Sequence, residues 1–546
     1  MLVRLTKQEH IQLLWEANYW KAEHRQAAER ALRVEAAYRE QLRQAAQGAE
    51  QREAALRGEL QAARARIRDL ERRLFGRKSE RWGVIEDRHR AGGCGRRARG
   101  QQRGAAGHGR TRLAHLPVHT EVVELDTPLC PVCGLALRQM PGRDECEVLE
   151  IEVQAYRRRF RRPRYRRTCD CRQVPGILTA PPPARLIARG KFGISVWVSV
   201  LLDKFLYGRP SQRLVQDLAD HGLELSVGSL AGGLQAIAPL FAPLQQALLD
   251  RLRREPHWHA DETSWPVFAE VEGKSGHRWY LWVFQSRSVV YYVLDESRSS
   301  RVPAAVLGGV RTGVISCDRH GAYKRFARLN PSVALSFCWA HQRRDLLNLA
   351  HEYPDLATWA MAWVDCIGTL FALQAQRREA RGARRAELDR HVRATVQEMA
   401  AQRDAALAHP TLPAAAAAVL RSMAQHWQGL TEFVERPQLP LSNNAAERAL
   451  RGPVVGRKNF YGSGSPWSGQ LAATMFSVLM TMRHWKINPR TWLTTYLQAC
   501  ADHGNRPPPQ LRPFLPWTMD AAQRAAMRAA PAKAVLRPRA AAVDSS

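Results

Sequence analysis

The sequence predicts a multidomain chain, mainly α with an α/β part, and three observations carry that expectation. The chain has 546 residues, more than one core of about 100–200 residues needs. Long stretches rich in Ala, Glu, Gln and Arg alternate with short β-branched and aromatic runs. The third observation is the run Pro256-His257-Trp258-His259-Ala260-Asp261-Glu262-Thr263-Ser264-Trp265, in which aromatic and small residues alternate up to an acidic pair. It reads as a buried strand carrying a carboxylate inward, which is costly unless the carboxylate binds a cation or accepts hydrogen bonds.

Charge narrows the class of partner. Lys and Arg number 82 against 51 Asp and Glu, a formal +31, so a polyanionic partner is expected, nucleic acid before a membrane surface. The start of the chain, Met1-Leu2-Val3-Arg4-Leu5-Thr6-Lys7, lacks the apolar core of a signal peptide. The longest apolar run, Phe192 to Leu202, falls short of the roughly 20 residues that span a bilayer. A cytoplasmic, DNA-associated protein without a membrane partner is expected.

Residues 1–82 read as a coiled-coil helix. Leu42, Ala49, Leu56, Ala63 and Leu70 recur every seventh residue, and Leu60, Ile67 and Leu74 fill the second seam position. Glu53 and Arg39 weaken the earlier half. A zipper joining copies of the chain into a homo-oligomer is the sharper reading, and one helix packed on its own protein the plainer one. Residues 83–118, dominated by Gly, Arg, Gln and Ala, read as a basic flexible linker.

Residues 119–185 read as a small zinc-binding β module. Cys130 and Cys133 have metal-knuckle spacing, and Cys169 and Cys171 can close a tetrahedral Zn2+ site, with Cys146 as the substitute ligand. Between the pairs, arginines interleave with aromatics in Tyr156-Arg157-Arg158-Arg159-Phe160-Arg161-Arg162-Pro163-Arg164-Tyr165. Arg157, Arg159, Arg161 and Arg164 are the DNA-binding candidates of this strand, against the plainer reading of a solvated basic face. Residues 186–255 are expected to be a helical DNA-binding or connecting region with turns at Gly208-Arg209-Pro210 and His221-Gly222, and with Val215, Leu218, Leu223 and Leu225 as core.

A mixed sheet follows. Arg278–Phe284 and Val289–Leu294 read as a hairpin around Gln285-Ser286-Arg287-Ser288, then a helix, then Gly313–Cys317 as a further strand ending at Asp318. Residues 256–335 and 441–500 are therefore two parts of one core, interrupted by a helical insertion over 336–440 and followed by a tail over 501–546. Asn443 to Arg451 reads as a helix whose three- and four-residue spacing puts Asn444, Glu447, Arg448 and Arg451 on one face. A last apolar helix with Phe476, Leu479, Met480 and Met482 is expected to cover the sheet.

Asp261, Asp318 and Glu447, on two strands and a helix, can together hold a pair of hard divalent cations, Mg2+ or Mn2+. Arg448, Arg451, Arg457 and Lys458 stand where they can bind a flanking DNA backbone. Taken singly, each acid is as readily a cap, a turn or a surface residue.

Three motifs in order, His259-Ala260-Asp261-Glu262-Thr263, Asp318-Arg319-His320-Gly321-Ala322-Tyr323 and Asn443-Asn444-Ala445-Ala446-Glu447-Arg448, closely resemble the DDE transposases of bacterial insertion sequences, in the insertion-sequence sixty-six family. Arg457-Lys458-Asn459-Phe460, Leu74-Phe75-Gly76-Arg77-Lys78-Ser79-Glu80 and Leu515-Pro516-Trp517 are similar to further signatures of that family. The resemblance implies an N-terminal zipper, a zinc module and an RNase H-like core with a helical insertion. It implies catalysis by Asp261, Asp318 and Glu447 with two Mg2+ ions, on element ends and target DNA, and small accessory proteins of the same element as partners.

One departure stands out: Ser442 occupies a position where the family usually has Asp. That favours one rival reading, a catalytically inactive DNA-binding remnant; a second rival, independent of Ser442, is an RNase H-like nuclease without strand transfer. Cys338-Trp339-Ala340-His341 is similar to a motif of several DDE families. A metal role is open to this motif, though no second ligand pair stands nearby. The plainer reading has His341 hydrogen-bonded near the active site, with Arg343 and Arg344 on phosphate, and His259 packed or hydrogen-bonded rather than a ligand or base.

Overall fold

The computed structural model describes residues 153–166, 168, 175, 177–269 and 277–528, with a few scattered positions before residue 153. The chain divides into two compact units, Met1–Asp69 with Ala155–Ser546, and Leu70–Gln154. The second lies almost wholly outside the described residues, as do most of the heptad positions and Cys130, Cys133, Cys146, Cys169 and Cys171.

The basic, aromatic strand pairs at its end. β1 (Arg164–Arg166) runs antiparallel to β2 (Ile177–Thr179), and both are exposed. Four helices follow: α1 (Ile194–Leu201), α2 (Ser211–Asp220), α3 (Val227–Ile237) and α4 (Ala242–Arg253). The expected turns hold them apart, with Gly208 and Gly222 at φ +66° and +77°, a region that favours glycine. Of the four apolar residues expected as core here, Leu225 is buried and Val215, Leu218 and Leu223 are half-buried; Leu214 carries the burial of α2 instead. Val227–Arg253 and Pro354–Glu379 are long and apolar enough to cross a membrane by length and composition, and both place residues such as Leu244, Leu252, Trp363 and Ile367 in the core.

The centre of the larger unit is a mixed five-stranded sheet, which makes the chain mainly helical with an α/β core. β3 (His257–Pro266), β4 (Arg278–Gln285) and β5 (Val290–Asp295) form an antiparallel meander, and β6 (Gly313–Cys317) and β7 (Val333–Phe337) add in parallel beside β3, giving the order β5-β4-β3-β6-β7. The β4–β5 turn falls on the expected residues, with Ser286 N–H donating to Val289 O at 2.8 Å. Every residue of β6 is buried, as a parallel strand covered on both faces requires. The crossovers are α5 (Arg301–Leu307) and α6 (Gly321–Leu329).

The insertion comprises α7 (Trp339–Glu352), α8 (Ala357–Glu379), α9 (Gly382–Ala408), α10 (Ala414–Gln425) and α11 (Trp427–Glu435). Its hub is Arg377, 1% exposed, paired with Asp389 and donating to the carbonyls of Phe433 and Val434 at 2.9 and 2.8 Å. A buried guanidinium is tolerable because its donors are so used. The chain then returns to the sheet through α12 (Asn444–Phe460), α13 (Pro466–His484), α14 (Pro489–Asp502) and α15 (Ala521–Arg528).

α13 covers the sheet with Phe476, Leu479 and Met482, as expected, while Met480 is only half-buried, and the helix also seals the sheet's edge. Tyr292 N–H donates to Ser477 Oγ at 2.8 Å and Val290 N–H to Thr481 Oγ1 at 3.1 Å, which satisfies donors that the outer strand β5 leaves unpaired. Towards the N-terminus, the Trp15 ring stacks on Phe268 with centroids 5.4 Å apart.

Candidate active site

The strand register brings the first two acids together. β3 pairs with β6 at His257 with Val314, Trp258 with Ile315 and His259 with Ser316; carried two residues on, that register sets Asp261 level with Asp318, whose charge acts on it. The close approach of the two strands depends on Gly313, where an added Cβ would meet the Trp258 ring at 2.2 Å. Asp318 leaves the end of β6 and accepts the N–H of His320 at 2.9 Å. Its neighbour Arg319 donates to Gln342 Oε1 at 2.9 Å and Ser422 Oγ at 3.2 Å and pairs with Asp345, which fastens this loop to the helical insertion.

The third acid arrives on α12, and three sets of bonds tie that helix along β3. At its start the buried Asn443 donates from Nδ2 to Ala260 O at 2.7 Å and meets His259 Nδ1 through Oδ1 at 3.1 Å, while its N–H donates to Cys338 Sγ at 3.2 Å. In its last turn, Arg457 donates to Thr263 Oγ1 at 3.1 Å, to Ser264 Oγ at 3.0 Å and to the Ser264 carbonyl. Beyond its end, Ser463 N–H donates to Pro266 O at 3.0 Å, and Trp265 Nε1 donates to Ser463 Oγ at 3.0 Å. Glu447, in the first turn, is thereby carried to the acids of the sheet.

Electrostatics register the convergence. Burial, then the neighbouring Glu262, Asp318 and Glu447, push the Asp261 carboxyl up to about 7, against the Glu262 N–H that it accepts at 2.9 Å. Among the described residues, no Lys or Arg forms an ion pair with Asp261, Asp318 or Glu447. All three offer oxygen, the donor that hard divalent cations prefer, and the mutual repulsion of carboxylates without an ion-pair partner is what such a cation relieves. The donor set therefore fits Mg2+ or Mn2+.

Glu262, next to Asp261, does something else. Alternation turns it to the opposite face of β3, where its side chain is 1% exposed, paired with Arg298 at 2.7 Å and accepting from Tyr323 Oη at 2.7 Å. On the Asp261 face, His257 and His259 stand 4.7 Å apart between ring centroids, and burial pushes them down to about 3 and about 4, so both are neutral. His259 is hydrogen-bonded, as expected. His341 is not: its Nδ1 is buried without a partner and its Nε2 lies 3.9 Å from Glu447 Oε1.

Of the basic candidates, Arg448, Arg451 and Lys458 are exposed along α12, and Arg157, Arg159, Arg161 and Arg164 are exposed on and before β1. Arg457 is the exception, half-buried and bonded to β3. Two residues with a part in the site carried no assigned role in the sequence reading. Asn443, expected as the first residue of the helix, stands instead at its N-cap, a position that favours Asn, yet its side chain crosses to β3 rather than capping. Arg298 lies far from Glu262 in sequence and has no local signal.

Residues 189–471, which contain all three acids, match the family model described as Transposase IS66 family. That match spans more than half the chain, and the protein belongs to this family. It is also similar to three proteins of Sinorhizobium fredii (strain NBRC 101917 / NGR234), each named only as uncharacterized. Protein y4jD is 28% identical over 75% of this chain and 81% of its own length. The corresponding values are 27%, 73% and 75% for y4hP, and 25%, 74% and 76% for y4qI.

Proposed function

We propose that this chain is a DDE transposase with an RNase H-like core, which binds the ends of an insertion sequence and cuts and joins DNA strands at Asp261, Asp318 and Glu447. The observation that carries this reading is the meeting of three carboxylates from three separate segments, none ion-paired to a Lys or Arg among the described residues, with the Asp261 carboxyl pushed up to about 7 by burial and by its acidic neighbours. Family membership supports a transposase and a DNA partner.

Asp261, Asp318 and Glu447 would hold two Mg2+ or Mn2+ ions. Bound there, the ions supply Lewis-acid activation of the attacking oxygen and charge stabilisation of the departing one. The protein's own part is positioning. The Asp261–Asp318 register and the ties along α12 keep the carboxylates converged, and the neutral His257 and His259 fill the floor beneath Asp261 without adding charge. Arg448, Arg451 and Lys458 present cations to a DNA backbone beside Glu447, and the exposed arginines before β1 offer a second phosphate-binding strip. The family's usual acid at position 442 is absent, yet the anchoring bonds belong to Asn443, so the departure at Ser442 leaves the clamp intact.

The test is magnesium-dependent nicking and joining of DNA that carries the element's ends. Asp261→Asn, Asp318→Asn and Glu447→Gln are each expected to lose both activities while retaining end binding in a mobility-shift assay. A variant that still cuts removes its residue from the mechanism. A wild type that binds ends and never cuts leaves a DNA-binding remnant, and cutting without joined product leaves a nuclease.

A further inference from the structure

The Cys338-Trp339-Ala340-His341 turn has no part in the reading above, yet it reaches the active site. Cys338 follows the last residue of β7, and the three-residue spacing sets His341 one helical turn into α7. A sulfur of Cys338, a ring nitrogen of His341 and a carboxylate oxygen of Glu447 all lie within 4.8 Å of one another. Cys338 is buried, whereas the His341 and Glu447 side chains are 28% and 32% exposed. The group is therefore closed on the protein side and open to solvent on the other, which is an entry path for an ion.

Ordinary packing leaves the His341 ring unsatisfied. His341 Nδ1 is buried with no hydrogen bond, and its Nε2 is too far from Glu447 for one. The only ion-pair partner of Glu447 among the described residues is that same distant ring. The Cys338 sulfur is held in place by the Asn443 N–H, the kind of outer bond that orients a metal ligand. The donors differ in kind from the acids of the sheet. One thiolate, one imidazole and one carboxylate suit Zn2+ or Co2+, whereas Mg2+ requires oxygen.

We infer that Cys338, His341 and Glu447 form a further cation site, selective for zinc-class ions over magnesium, whose occupation withdraws Glu447 from Asp261 and Asp318. As the ion binds, the Cys338 thiol releases its proton to solvent and the metal–sulfur bond forms, and the three protein ligands leave a fourth position for water. The site is then an inhibitory one, because a single carboxylate cannot serve both ion classes at once. The inhibitory half rests on the proposed role of Glu447; the binding half does not.

Cobalt(II) titration of the full chain tests the binding half, with absorption difference spectra isolating this site from other cysteines. Wild type is expected to show a thiolate-to-cobalt charge-transfer band that persists in excess Mg2+. Cys338→Ser, His341→Gln and Glu447→Gln are each expected to weaken the same equivalent by about tenfold to a hundredfold. Identical stoichiometry and spectra for wild type, Cys338→Ser and His341→Gln would overturn the site. His341→Gln changes a half-exposed residue, so it decides the matter even where a Cys338 variant unfolds. In the nicking assay, zinc is expected to inhibit the wild type at concentrations at least about tenfold below those needed for Cys338→Ser. Equal zinc sensitivity overturns the inhibitory half. A protein that never nicks counts against the transposase reading instead, and the cobalt result still stands by itself.

Discussion

The two faces of β3 carry neighbouring carboxylates with opposite fates. Glu262 points to the α6 side, where Arg298 and the Tyr323 hydroxyl neutralise and bind it. Asp261 points to the α12 side, where its charged neighbours are acids and its carboxyl is pushed up to about 7. One acid is finished by the protein, and the other is left for something outside it. The difference teaches that a buried carboxylate signals function through the partners it lacks, since burial is common to both.

The largest expected effect separates the two faces by activity. Asp261→Asn should lower magnesium-dependent cleavage on the order of a thousandfold or more, since on the proposed mechanism it removes a ligand of ions that would supply several kcal/mol. Glu262→Gln keeps a hydrogen-bonding group for Tyr323 and should cost about tenfold at most, by loosening the strand that carries Asp261. Comparable losses in single-turnover cleavage would erase the distinction between the faces.

Stability should rank the other way. Glu262→Ala strands the fully buried Tyr323 hydroxyl and should destabilise the fold by about 1–3 kcal/mol, read as a lower denaturation midpoint. Gly313→Ala should cost about as much, roughly 1–3 kcal/mol, because its Cβ would meet Trp258 at 2.2 Å and wedge β6 away from β3. The two variants differ in the site. Gly313→Ala disturbs the register that sets Asp261 against Asp318 and should weaken Mg2+ binding, measured calorimetrically, whereas Glu262→Ala should leave it closer to the wild type.

Much of this contrast was legible in the sequence, and the rest was not for a physical reason. Alternation along His257–Trp265 marks β3 and separates Asp261 from Glu262, and Asp318 ends a run whose β-branched residues mark β6. The hairpin, the insertion and the sheet-covering helix follow from the same local patterns. Pairing between distant segments does not. That Arg298 reaches Glu262, that Asn443 bonds Ala260, and that Arg457 is spent on Thr263 and Ser264 rather than left for phosphate are long-range facts that no window of sequence contains. His341 was expected to be hydrogen-bonded, and the missing bond became visible only once Glu447 was placed beside it. The α12 helix also runs to Phe460, through Pro453, well beyond the Arg451 at which its spacing ceases to be readable.

The smallest effect sharpens the comparison most, because it acts without substrate. The Asp261 carboxyl ordinarily titrates near 3.8 and stands at about 7 in the fold. Between those values the unfolded chain has lost the proton and the folded chain keeps it, so the metal-free protein loses stability as pH rises from about 4 to about 7 and remains weaker above. Asp261→Asn carries no such charge. At pH 8 and without divalent cations it should therefore be more stable than the wild type by about 1–2 kcal/mol, a gap that closes as the pH falls towards 4. Saturating Mg2+ should reverse the order, because an ion that binds only the folded wild-type site stabilises that protein alone. The equivalent change at Glu262 should show neither the gain nor the reversal. Melting curves of both variants at pH 5 and pH 8, with and without Mg2+, check all of this, and a metal-free Asp261→Asn less stable than the wild type at pH 8 would show that the α12 face holds its own compensation for the acid.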